Sequence, residues 1–189
     1  MLAKGLDFAN VGLVAVLNAD LLLHFPDFRA YERSFQLLLQ VSGRAGRKNK
    51  RGKVLVQTYK PEHPVLKLVQ NRDYISLYHN QINERSTFAY PPVYRIIMIK
   101  LKHKNRETVT AAAELLGKEL KNIFKHRTYG AHTPLVSRVK NYYLQEIMLK
   151  IERKSSYQKA KQLVKQAIQN FQKTKGFSSV RIGCDVDVY

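Results

Sequence analysis

The chain has 189 residues, room for one domain or two small ones. Hydrophobic residues make up 44% and aromatics 10%, a composition that builds a core and argues against disorder; no apolar run reaches the roughly eighteen residues of a membrane span. Thirty-three Lys and Arg against fourteen Asp and Glu give a net charge of +19, which points to a polyanionic partner, because each phosphate neutralised releases counterions.

The first ten residues include Lys4 and Asp7 and do not read as a signal peptide. Cys184 is the only cysteine, so an internal disulfide and a Cys-rich zinc site are excluded and an intracellular setting is expected. It lies in an alternating apolar stretch and reads as a small, buried strand residue.

Residues 11–17 form a short apolar run bounded by asparagines and read as a buried strand of a parallel sheet. A strand so close to Met1 reads as the tail of a larger sheet. Residues 28–39 follow as a helix, with Tyr31, Phe35, Leu38 and Leu39 inward, broken by Gly43 and Gly46. Residues 54–58 read as a second strand. Pro61 and Pro64 mark a boundary. The helical stretch beyond it turns Val65, Leu66, Val69, Leu77, Tyr78 and Ile82 inward and stops at Tyr90-Pro91-Pro92.

Residues 93–103 alternate as a strand, and 106–125 form a helix with Val109, Ala112, Ala113, Leu116, Leu120 and Ile123 on one face. Residues 128–139 read as extended, with Pro134 suggesting an edge, and 142–151 as a strand. Ser155 or Ser156 caps a second helix, with the stripe Ala160, Leu163, Val164, Ala167, Ile168 and Phe171, which Gly176 ends. Residues 180–188 are the last strand. The order β-α-β-β-α-β is the split βαβ, ferredoxin-like plan. The expected division is 1–60, a helical linker at 61–92, and a C-terminal α+β domain at 93–189.

Gln40-Val41-Ser42-Gly43-Arg44-Ala45-Gly46-Arg47 is the most informative stretch. Two arginines three apart are set among glycines, which allow close backbone approach. Guanidinium forks match the oxygens of a polyphosphate and can neutralise a transferring phosphoryl group. The other reading is a plain basic loop after a helix. Arg138, Lys140, Tyr142 and Tyr143 form a basic-aromatic cluster between two extended segments. It suits nucleic acid, by stacking and phosphate contact, but strand tyrosines also serve simply as packing. Lys159, Lys161, Lys165, Lys173 and Lys175 line a polar helix side, solvated or facing DNA. The six histidines show no ligand spacing, so no metal site is expected.

Gln-x-x-Gly-Arg-x-Gly-Arg resembles motif VI of superfamily-two helicases, and Lys4-Gly5-Leu6-Asp7-Phe8 resembles their motif V. Between them, Leu17-Asn18-Ala19-Asp20, Phe25-Pro26-Asp27-Phe28-Arg29-Ala30, Glu32-Arg33 and Phe35-Gln36-Leu37-Leu38 are similar to the primosomal protein N-prime family, the replication-restart helicases. Tyr90-Pro91-Pro92 and Cys184-Asp185-Val186-Asp187 match the C-terminal region of that family.

The resemblance implies that 1–60 is the end of a second RecA-like helicase lobe and that 93–189 is ribosomal-protein-like and helps bind branched DNA. It implies Arg47 as arginine finger, Arg44 at the phosphates, Gln40 organising the site, and Gly5, Asp7, Gly43 and Gly46 at the nucleotide. It further implies ATP with Mg in the full-length protein, zinc held upstream of this segment, DNA, single-strand-binding protein and primosome proteins as partners, and a bacterial cytoplasmic, nucleoid-associated setting. The chain carries no Gly-x-x-x-x-Gly-Lys-Ser/Thr loop and no Asp-Glu-x-His box, so by itself it is expected to be inactive. It stops at Tyr189, where many relatives continue through Asp-Val-Asp-Pro. The competing expectation is a non-enzymatic module that binds nucleic acid or a partner protein.

Overall fold

The computed structural model describes residues 11–45 and 52–186. The chain forms two compact units, 1–84 and 85–189. In the first, β1 (Leu13–Val16) and β2 (Lys53–Val56) pair in parallel, Leu13 opposite Lys53 and Val16 opposite Val56. Between them run a single turn, α1 (Asp20–Leu23), and α2 (Ala30–Ser42). α2 begins two residues later than its pattern suggests. The Asp27 carboxylate accepts from the Arg29 N–H at 2.9 Å and from Arg33 Nη1 at 2.8 Å, holding a turn ahead of the helix. Phe35 and Leu38 are buried with Leu23, Val65, Leu66 and Leu77, and Tyr31 and Leu39 pack against them.

β1 is not the buried strand expected. Leu13 is 59% exposed and Leu17, just past the strand, 75%. In a strand pair, alternate residues face a core on one side only; Val16 and Val56 reach it, and the other face stays open.

The helical stretch after Pro64 is two helices, α3 (Pro64–Asn71) and α4 (Tyr74–Thr87). Arg72 takes a left-handed φ of 54°, and the Asp73 carboxylate accepts from the Ser76 N–H at 2.9 Å to start the second helix. The break resets the helical phase. Val65, Leu66 and Leu77 are buried as expected, but Tyr78 is half exposed.

In the second unit, β3 (Tyr94–His103) leads into α5 (Arg106–Phe124), a tight turn, β4 (Thr128–His132), β5 (Arg138–Val139), β6 (Tyr142–Glu152), α6 (Tyr157–Gln172) and β7 (Arg181–Val186). The sheet is antiparallel in the order β4-β6-β3-β7, with β5 also paired to β6. The element order is the one read from the sequence, with the extended 128–139 segment interrupted between β4 and β5 around Pro134. Ile97, Ile99 and Leu101 of β3 and Ile147, Leu149 and Ile151 of β6 meet α5 and α6 in a dry core. Asn105 caps α5 by accepting from the Thr108 N–H at 2.9 Å, and Ser156 caps α6 through the Lys159 N–H.

Two details of the helices differ from their patterns. Ile123 is 39% exposed and Phe124 is buried instead, because the inward line steps by four from Leu116 through Leu120. α6 ends at Gln172, and Gly176 takes its φ of 94° in the loop beyond.

Candidate nucleic-acid interface

Strand alternation gives the second unit's sheet two faces. One is covered by α5 and α6. The other carries Ile96, Met98, Lys100 and Lys102 from β3, opposite Lys150, Met148, Glu146 and Leu144 from β6. At one end this second face is closed. Lys150 is only 8% exposed; its Nζ donates to the Phe88 carbonyl at 2.6 Å and lies 3.8 Å from the centre of the Tyr90 ring and 4.8 Å from that of Tyr129. Burial pushes its pKa below the usual lysine value.

At the other end the face is open and basic. The β5–β6 hairpin turns through Lys140 and Asn141, both at positive φ (45° and 64°), as a two-residue turn matched to strand twist requires. Lys140 is therefore an exposed tip. Arg138 donates from Nη2 to Asn141 Oδ1 at 3.1 Å, and its guanidinium lies 5.0 Å from the Tyr143 ring centre. The four residues singled out from the sequence thus share one hairpin, but alternation sends the tyrosines to opposite faces. Tyr143 packs against the helix-side core. Tyr142 lies on the open face, its ring centre 5.1 Å from the Arg181 guanidinium and 5.9 Å from Lys102 Nζ.

Lys102 and Arg181 were not singled out from the sequence. They meet Tyr142 only because β6 and β7 flank β3, an order no single strand announces. The charges further along the face are balanced: Lys100 pairs with Asp185 at 2.7 Å, and His132 lies 3.9 Å from Glu146. Among the described residues no carboxylate pairs with Lys102, Lys140 or Arg181.

In the first unit, Gln40 is exposed on the last turn of α2. The Gly43 N–H closes the helix on the Leu39 carbonyl at 2.9 Å, and the Arg44 N–H follows on Val41 at 3.1 Å. The half-buried Arg44 thus leaves the helix one turn beyond Gln40. Gly5, Asp7, Gly46 and Arg47 lie outside the described residues. Where β1 and β2 end, Asp20 accepts from the Tyr59 N–H at 3.0 Å and Thr58 Oγ1 at 2.9 Å. The backbone hydrogen bond from Tyr59 is the main cause holding its carboxyl below the usual range.

Cys184 corrects the reading of a buried thiol. It stands exposed on β7, at the sheet edge where a strand has one neighbour. Partial burial of the sulfur, then the charge of Asp185, pushes its pKa up. Among the described residues no group of three or more His, Cys, Asp or Glu is placed to hold a metal, and no helix is long and apolar enough to cross a membrane.

A five-stranded antiparallel sheet, the short β5 included, backed on one face by two helices defines a small α+β domain. Residues 86–189 match the family described as the primosomal protein N C-terminal domain, and the chain belongs to that family. Relatives named replication restart protein PriA align with it. The Bacillus subtilis relative is 35% identical over 196 residues, covering 100% of this chain and 23% of the relative. The Treponema pallidum relative is 34% identical over 191 residues, covering 99% and 28%. A Synechocystis relative is 44% identical over 109 residues, covering 58% of this chain and 13% of the relative. The chain thus spans about a quarter of the relatives that match it from end to end.

Proposed function

We propose that this chain is the C-terminal part of an ATP-dependent DNA helicase that recognises stalled or branched forks and restarts replication by primosome assembly. The observation that carries this reading is end-to-end similarity, through both units, to a relative named replication restart protein PriA. In this reading 1–60 completes a RecA-like lobe, 61–92 connects it, and 93–189 is a ferredoxin-like, ribosomal-protein-like domain that faces DNA. The parallel strands β1 and β2 and the sheet order β4-β6-β3-β7 support those fold assignments.

ATP with Mg binds in the full-length protein, between this lobe and the preceding one. Arg47 neutralises charge on the transferring phosphoryl group, Arg44 contacts phosphates, and Gln40 organises the site with Gly5, Asp7, Gly43 and Gly46. The exit of α2 supports the placement by setting Gln40 and Arg44 one turn apart. Lys140 and Tyr142, joined by Lys102 and Arg181, take the DNA on the open face, and Arg138, opposite Tyr143 on the other face, adds a phosphate contact at the hairpin edge. Tyr143 supports the hairpin from the core side. Zinc bound upstream, single-strand-binding protein, primosome proteins and a cytoplasmic, nucleoid-associated setting complete the proposal.

The test is Arg47→Ala in the full-length protein. Turnover falls by about 10³–10⁵ while DNA binding holds, as expected for loss of an arginine finger. Unchanged DNA-stimulated ATPase in a folded variant removes the assigned role. The 189-residue chain alone hydrolyses no ATP, with or without forked DNA.

A further inference from the structure

We propose that the uncovered half of the sheet's open face is a stacking site for single-stranded DNA, with a base on the Tyr142–Arg181 pair and flanking phosphates on Lys102 and Lys140. This rests on the reading above that the second unit faces DNA, and it names the form of DNA and the atoms that take it.

Three observations carry it. The first is the grouping itself. A tyrosine ring and a guanidinium 5.1 Å apart offer flat surfaces on which a base can stack. Lys102 beside them and Lys140 at the hairpin tip supply charge that no carboxylate among the described residues offsets.

The second is Gly183. It lies on β7 directly opposite Lys100 and shares the open face. A Cβ built there meets nothing within 4 Å, and its backbone has no left-handed φ. Neither packing nor conformation asks for glycine, which weakens a strand. The pairing with β3 runs without a bulge through Gly183, and close approach of a ligand to the backbone is one of the uses of a strand glycine that remain. Two residues from Arg181, Gly183 leaves the strand bare where a nucleotide next to the stacked base would lie.

The third is shape. From β4 to β7 the sheet is about 14 Å across by strand spacing, before side chains are added. That face does not enter a major groove of about 12 Å, and a duplex keeps its base faces stacked away. A single strand can splay its bases onto a flat surface. The end closed by Lys150, Phe88 and Tyr90 limits the run to the half nearer the β5–β6 hairpin.

The experiment titrates the 189-residue chain against fluorescein-labelled oligo(dT) and against a blunt DNA duplex of equal phosphate count, read by anisotropy. Tyr142→Leu should weaken oligo(dT) binding by roughly 5- to 150-fold, the range for one stacked base, and Gly183→Val should weaken it by at least about fivefold by filling the bare strand, with duplex binding changed by less than about twofold in each. Tyr142→Phe, which keeps the ring, should bind like the parent. Valine favours strands, so Gly183→Val should be no less stable to heat than the parent, and it carries the test if Tyr142→Leu fails to fold. Parent-like oligo(dT) binding by Gly183→Val and Tyr142→Leu overturns the stacking site while leaving the DNA reading in place. Equal loss on duplex and single strand also overturns it, since a phosphate patch would do the same. Tighter binding of oligo(U) than of oligo(dT) overturns the assignment to DNA. A parent that binds neither probe at low salt removes the wider DNA reading along with this one.

Discussion

Lys150 and Phe88 stand 62 positions apart, yet the ammonium of the first donates to the carbonyl of the second at 2.6 Å. The same ammonium faces the rings of Tyr90 and Tyr129. A buried ammonium needs such partners, because desolvation otherwise makes its charge costly. The contact fastens the segment leading into β3 onto the open face of the sheet. Lys150→Ala should cost about 1–3 kcal/mol, from the lost donor and the lost packing of the stem. Lys150→Met keeps the stem and should cost less, but it should speed hydrogen exchange at the Tyr90 amide, which donates to the Arg85 carbonyl at 2.7 Å. Unchanged exchange at Tyr90 would show that the ammonium does not hold the segment.

Glu152, at the end of β6, gives the unit an acid-sensitive joint. Burial pushes its carboxyl up, but hydrogen bonds and charge from Arg127, whose Nε lies 2.8 Å away, outweigh this, and the net pKa is below the ordinary glutamate value. A carboxylate depressed in the folded state stabilises fully above its unfolded pKa, and that contribution is lost as pH falls through the folded one. Glu152→Gln should therefore lower stability at neutral pH, and its deficit should close as pH drops from about 5 downward. Thermal melts across that range check it; a deficit constant with pH would contradict the assignment.

Asn105 starts the longest helix. Its side chain accepts from the Thr108 N–H at 2.9 Å, one of the donors a helix cannot satisfy internally. Asn105→Ala should cost about 0.5–2 kcal/mol and Asn105→Ser much less, measured by denaturant unfolding. Equal costs for alanine and serine would show that the cap is not what asparagine contributes.

What could be read beforehand followed period. The β-α-β-β-α-β order was legible because β3 and β6 alternate cleanly and α5 and α6 carry continuous apolar stripes. The end of α2 near Gly43 was legible because glycine breaks the apolar stripe there, whereas Gly46 and Arg47 of the same motif lie outside the described residues. Three features were not. Lys150 reads as a solvent-facing strand lysine until Phe88 and Tyr90 are folded over it. Tyr142, Lys102 and Arg181 come from three strands, and their meeting depends on sheet order. The left-handed residue that divides α3 from α4 is Arg72 itself rather than a glycine or its neighbour Asn71, so the break is not announced at the position that makes it.

The reading of the second unit as a DNA-facing surface is tested most directly by titrating labelled forked DNA with the chain across a salt series. Affinity should fall steeply, with a log–log slope near −0.9 for each duplex phosphate contacted. Replacing Arg138 and Lys140 together by glutamine should flatten that slope by up to about two. Salt-independent binding, or no binding at low salt to forked, single-stranded or duplex DNA, would contradict it.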